Sequence, residues 1–302
     1  MLNRILAAVG RRNPALILKL RYFRRHHKWL DLDAPIERMP NLITYILAQA
    51  VKNRDNKHWA MLADKYAVRQ YVTQRIGAGH LIPLVAKWDS PADIDFAACP
   101  RSFVMKTNNG CGDIVFVHDK SKADRDAIAA KFARTLRSRY AEASGQLHYG
   151  LVKPCIIAEA LVEQGGGHKS LTDYKVCCVN GTPRAVLVFE DRDEVNHFDY
   201  RMNSYTSSWQ LIPPGKTPAD VADAPVAPGK PEAFDEMLRL AGKLAQGLEY
   251  VRVDMYIVGD KVYFGEMTLT PDAAFNPVYH IRQPLMTYLL DCLRADRRAK
   301  KS

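Results

Sequence analysis

Apolar and polar positions along the chain alternate with two periods. In HWAMLADKYAVRQYVTQRI (58–76), Met61, Leu62, Tyr66, Val68, Tyr71 and Val72 fall near helical spacing, predicting a helix from about Asp64 to the GAGH turn. Residues 121–140 place Ile128, Phe132 and Leu136 four apart, and Phe234–Leu248 puts Phe234, Met237, Leu238, Ala241, Leu244 and Ala245 on one face. LITYILAQAV and PLMTYLLDCL predict two further helices.

Shorter runs read as strands: LIPLVAKW, SFVMKTN, DIVFVHD, KPCIIAEAL, DYKVCCVNG, PRAVLVFE, YVRVDMYIV and KVYFGEMTL. Asn180-Gly181 and Gly259-Asp260 are hairpin turns, and a glycine turn joins SFVMKTN to DIVFVHD. Six prolines between 213 and 231 rule out regular structure and predict a long surface loop. Helices mixed with antiparallel hairpins predict an α+β fold with helices covering sheets.

With 302 residues, 47% of them hydrophobic, the chain has material for a sizeable core and about two domains. No run of 18 apolar residues predicts a membrane span, and Arg4, Arg11 and Arg12 break up the N-terminal apolar pieces, a poor signal peptide. Six cysteines without a C-x-x-C pair read as reduced thiols of a cytoplasmic protein. The net charge of +10 sits at the ends: residues 1–30 carry eight Lys or Arg and no acid, and RADRRAKKS carries five against one. Such ends suit the inner face of an anionic membrane, an acidic polymer or an acidic partner, and equally a solubilising tail. No nucleic-acid motif accompanies them, so no nucleic-acid partner is expected.

Two stretches carry candidate chemistry. In VMKTNNGCGD (104–113), Lys106 precedes Gly110 and Gly112 and a strand follows, the reverse of a Walker A loop. The turn can present backbone amides to an anion, or it is an ordinary hairpin with a surface lysine. In VRVDMYIVGDKVYFGEMT, Arg252 and Asp254 share a strand face, and Glu266 falls beside Asp254 across the hairpin. Adjacent carboxylates repel unless a cation lies between them. Magnesium with nucleotide phosphates suits the pair, as does an arginine–carboxylate ladder.

Together these features resemble the ATP-grasp superfamily, and the resemblance extends over about residues 58–280. ADKYAVR resembles its first phosphate-lysine segment (Lys65), and FVMKTNNGCGD its second lysine and glycine-rich lid (Lys106, Gly110, Gly112). IIAEALVE is similar to the hinge that holds adenine (Glu159, Leu161), and DYKV points to Asp173 near the ribose and Lys175 at a phosphate. Within the superfamily, DYKVCCVNGTPR, VRVDMY and YFGEMTLTP resemble the TupA-like branch of teichuronopeptide synthesis. Many superfamily members have asparagine two residues after the second carboxylate, where this chain has Thr268.

The resemblance implies an ATP-grasp fold: a basic helical region at 1–57, an α/β part at 58–100, a lid subdomain at 101–180 and a C-terminal subdomain at 181–302. It implies ATP and Mg2+, with metal on Asp254, Glu266 and Thr268, and catalysis by Lys106 and Arg252. The expected activity is carboxylate–amine ligation through an acyl phosphate in surface-polysaccharide synthesis. The alternatives are a phosphotransferase on a glycan or small molecule, and a non-catalytic ATP- and glycan-binding protein. The carboxylate is expected on a uronic acid or peptide. His197 with Arg192 and Arg201 is a further candidate for an anionic substrate.

Overall fold

The computed structural model describes residues 13–110, 113–138, 140–165, 170–194, 199–271 and 282–300. Helices α1 (Pro14–His26), α2 (Leu42–Lys52), α3 (Lys57–Ala63) and α4 (Val68–Ile76) come first. They lead into strands β1 (Leu84–Trp88), β2 (Phe103–Thr107) and β3 (Val115–Val117). Helices α5 (Arg125–Leu136) and α6 (Tyr140–Ser144) precede β4 (Ile156–Ala160). Then follow β5 (Asp173–Val179), β6 (Thr182–Glu190), β7 (Arg201–Thr206), α7 (Phe234–Leu244), β8 (Tyr250–Val258), β9 (Lys261–Thr268) and α8 (Gln283–Ala299).

The strands form two antiparallel sheets, ordered β1-β4-β2-β3 and β7-β6-β5-β8-β9. In the first, Phe103, Met105, Ile156 and Ala158 bury one face against Ile128 and Phe132 of α5. Val104, Lys106, Ile157 and Glu159 therefore take the other face, because successive strand residues alternate.

The second sheet is covered on both faces. Tyr174, Val176, Cys178, Val251, Val253 and Met255 pack under α3, α4 and α7, while Cys177, Val179, Leu187 and Tyr250 pack under α1, α2 and α8. By the same alternation Asp173, Lys175, Arg252 and Asp254 share the latter face. They extend as a polar row from the cover of the apolar core.

Local chemistry explains the turns. Asn180 and Gly181 both adopt positive φ (47° and 79°), which the two-residue hairpin requires. Asn41, Asn56 and Asp124 cap α2, α3 and α5 by accepting free amides of the first turn. Trp209 stacks on Tyr205 at 3.9 Å and meets Phe234 at 4.8 Å, pinning the proline-rich segment to the core.

Three expectations change. The helix expected to start near Asp64 starts at Val68, and a separate helix, α3, ends at Ala63: the Asp64 carboxylate accepts the amides of Tyr66 (2.8 Å) and Ala67 (3.1 Å), interrupting the helical spacing between them. The subdomain boundary expected at 180 falls inside the β5–β6 hairpin; the chain leaves the first sheet after β4 and enters the second at β5. The segment before β1 is helical, and β1 itself belongs to the first sheet.

Candidate active site

The centre of the site lies on three adjacent strands. Register sets Asp254 opposite both Lys175 and Glu266, and Arg252 opposite Thr268. A bulge between Asp254 and Met255 makes Gly265 the extra residue of β9 and brings Glu266 level with Asp254. Glycine suits the position, since a Cβ would crowd both the Asp254 carbonyl oxygen and Tyr256 Cε2 at 3.0 Å.

The buried Arg252 guanidinium clamps Asp254, Nε to Oδ1 at 2.6 Å and Nη2 to Oδ2 at 2.7 Å. Lys175 Nζ joins Asp254 Oδ2 at 2.6 Å to Asp173 Oδ2 at 2.5 Å. Arg252 Nη2 also donates to the Thr268 hydroxyl (3.2 Å), which donates in turn to Glu266 Oε1 (3.0 Å). Lys65 Nζ stands 3.5 Å from Glu266 Oε2 and donates to the Gly110 carbonyl at 2.6 Å.

The first sheet supplies a second group. Lys106 Nζ lies 2.6 Å from Glu159 Oε2, and Arg69 Nη1 holds Glu159 Oε1 at 2.9 Å while Nη2 donates to the Ile82 carbonyl. The loop after Lys106 is clamped at both ends. Asn108 spends its buried amide on Asp64, the Lys153 carbonyl and the Cys155 amide, and Asp113 accepts from the Thr107 amide and hydroxyl.

Charge shapes the ionisation of these groups. Burial works against ionisation of Glu266, but Lys65, Arg252 and Lys175 outweigh it and hold its carboxyl well below the usual range. Burial lifts the Asp254 carboxyl, against the pull of Arg252 and Lys175. Burial acts on Lys175 too, yet Asp173 and Asp254 keep its ammonium above the ordinary value. The Tyr256 phenol is pushed well up, first by burial and then by Asp173, Glu266, Asp254 and Glu159. Lys65, touching both Glu266 and the Gly110 carbonyl in the loop after β2, joins the two groups.

The sequence-predicted residues thus converge, with some roles redrawn. Lys65, Asp173, Lys175, Arg252, Asp254, Glu266 and Thr268 form one connected network, and Lys106 and Glu159 a neighbouring pair. Glu159, expected at adenine, has its two oxygens on Lys106 and Arg69. Gly110 engages Lys65 through its carbonyl rather than an amide. Thr268, expected at a metal, is bonded to Arg252 and Glu266. Leu161 follows β4, partly exposed. Gly112 and His197 lie outside the described residues. Arg201 pairs with Asp191 at 2.6 Å on the exposed surface, whereas Arg192 reaches to 3.9 Å from Asp173 and lies over Phe189 and Tyr200.

Magnesium takes one or two carboxylates and completes its shell with phosphate and water oxygens; Asp254 and Glu266 would be the carboxylates here. Asp173 Oδ1 is buried without a partner among the described residues, a further oxygen donor open to a ligand. Both Asp254 oxygens are already held by Arg252 and Lys175, so an ion there shares that carboxylate with two cations. Among the described residues no three His, Cys, Asp or Glu side chains converge as a metal-holding group. Five cations (Lys65, Arg69, Lys106, Lys175, Arg252) meet four carboxylates (Glu159, Asp173, Asp254, Glu266), an excess of positive charge suited to phosphates.

Residues 44–280 match the family model described as TupA-like ATPgrasp. The chain belongs to the TupA-like ATP-grasp family. No curated protein matches it. Among solved structures it is similar to the ATP-grasp ligase PsnB in complex with a phosphomimetic variant of its minimal precursor, Mg and ADP (16% identity, TM-score 0.42, 82% of this chain and 60% of that one). It is similar to the D-alanine–D-alanine ligase of Bacillus anthracis complexed with ATP (13% identity, TM-score 0.43, 80% and 67%). It is also similar to the D-cycloserine synthetase DcsG (15% identity, TM-score 0.43, 78% and 70%). The chain spans about 60% of the length of that PsnB chain.

In this ATP-grasp chain the residues that sequence reading missed are mostly supports. Arg69 looks like any polar helix residue, and nothing in the sequence ties it to Glu159 ninety positions away. Asn108 and Asp113 flank the glycine turn, and the signal available for them was the habit of Asn and Asp to bond nearby backbone.

Proposed function

We propose that this chain is an ATP-dependent ligase that joins a carboxylate to an amine through an acyl phosphate. The observation that carries the reading is the level pair Asp254 and Glu266, flanked by Lys65, Lys175 and Arg252 and tied through Lys65 to the Gly110 carbonyl in the loop that follows Lys106. Asp254 and Glu266 would hold magnesium, which supplies charge neutralisation between the phosphates when bound. Lys65, Lys106 and Lys175 neutralise phosphate oxygens, and the loop clamped by Asn108 and Asp113 covers them.

In the first step a substrate carboxylate oxygen attacks the γ-phosphorus and ADP leaves. In the second an amine attacks the acyl carbon, phosphate departs with the bonding pair, and the amine proton is lost to solvent. Arg252 faces the same centre and stabilises the negative charge of the tetrahedral species. Arg192, stacked on Phe189 and Tyr200 beside Asp173, offers its guanidinium to the substrate carboxylate.

Membership in the TupA-like family supports a uronic acid or peptide as carboxylate donor in the synthesis of a surface polysaccharide. The test is whether ADP release requires a carboxylate and an amine together. Phosphorylation of one substrate alone would instead mark a phosphotransferase.

A further inference from the structure

Helix α1 is apolar on two sides. Its inner side buries Ile17, Leu18 and Tyr22, and Leu18 and Tyr22 join the core shared with α2 and α8. Its outer side carries Leu16, Leu20 and Phe23 at helical spacing, with Leu16 and Phe23 each 37% exposed. Just past the helix, Trp29 is 64% exposed and stacks on Phe23, ring centroids 4.8 Å apart. Leu16, Phe23 and Trp29 belong to no core cluster among the described residues.

Cations surround this stripe. Arg24, Arg25 and Lys28 are exposed beside the aromatic pair, and Lys19 lies half-buried one turn earlier. Arg21 is spent on the helix's own docking, donating to the Ala143 and Ser144 carbonyls. Residues 1–30 contain no acid; the next carboxylates along the chain are the exposed Asp31 and Asp33.

We infer that this face docks on an anionic lipid bilayer, with Phe23 and Trp29 in the headgroup region and Arg24, Arg25 and Lys28 on lipid phosphates. Charge and apolarity together select the occupant. A soluble polyanion is held by cations alone and makes no use of an exposed indole and phenyl, whereas a membrane interface takes both. At 13 residues α1 is about 20 Å long, too short to cross the hydrocarbon core, so it lies along the surface. The inference stands independently of the ligase reading.

The test is co-sedimentation of the full chain with vesicles of phosphatidylcholine alone and of equal parts phosphatidylcholine and phosphatidylglycerol. Binding to the anionic vesicles and a blue shift of tryptophan emission are expected. The shift reports Trp29, because Trp88 and Trp209 are buried and Trp59 is half-buried. Trp29→Phe keeps binding and loses the shift. Arg24→Glu with Arg25→Glu, and Phe23→Ser with Trp29→Ser, each lower partitioning by more than about tenfold while far-UV circular dichroism stays unchanged. Equal binding to both vesicle types, or full binding by the Phe23→Ser, Trp29→Ser chain, overturns the inference; the latter marks a charge-only site for polyanions. Trp29 shielded from acrylamide without vesicles overturns it too, by showing that residues 1–12 cover the stripe.

Discussion

Arg252 holds both oxygens of Asp254, two residues further along the same buried strand, at 2.6 and 2.7 Å. A side chain so placed fixes the carboxylate's orientation and keeps a cation beside it. Lysine carries the charge without the planar fork. Arg252→Lys is therefore expected to fold and to lower ATP-dependent turnover about 10²–10³-fold, the size of effect seen when one charge-stabilising donor is lost. Steady-state ADP release against the parent chain measures it.

Gly265 is the extra residue of the bulge that sets Glu266 level with Asp254. Gly265→Ala pushes a methyl into the Asp254 carbonyl and the Tyr256 ring, each 3.0 Å away. A loss of about 1–3 kcal/mol in urea unfolding is expected, as for other overpacked sites. Turnover should fall further than stability alone explains, because the bulge also aims Glu266.

His148 is fully buried, with both ring nitrogens unpartnered among the described residues, and burial pushes its pKa down to about 4. Its unfolded value is about 6.5, so between those two pH values the unfolded chain binds the extra proton. Stability then rises with pH, and acidification from about 6.5 to about 4 costs the native state about 3 kcal/mol through this residue. Urea unfolding over that range, compared between the parent and His148→Phe, should show this part of the slope disappear in the variant.

How much of this was legible in the sequence depends on how locally each feature is encoded. The Asn180-Gly181 hairpin was visible because its turn dipeptide carries its own backbone preference. Arg252, Asp254 and Glu266 were visible because charges interrupt otherwise apolar strands. Strand β7 was missed, since RMNSYT has no apolar alternation and becomes a strand by pairing with β6. The assignment of β5 to the second sheet was missed for the same reason, being a matter of partner rather than propensity. Glu159 was read as a nucleotide contact because its partners are not local: Lys106 comes beside it when β2 pairs with β4, and Arg69 when α4 meets the first sheet.

The central claim is that this site activates a carboxylate with ATP, and trapping the activated species tests it most directly. Carboxylates, sugar acids and peptides among them, are incubated with the full chain, ATP, magnesium and hydroxylamine, and hydroxamate and ADP are measured together. Hydroxamate equal to ADP is expected for one class of carboxylate, with both products lost in Asp254→Asn and Lys106→Ala chains that fold normally. ADP without hydroxamate for every carboxylate, or full turnover by Asp254→Asn, would contradict the account.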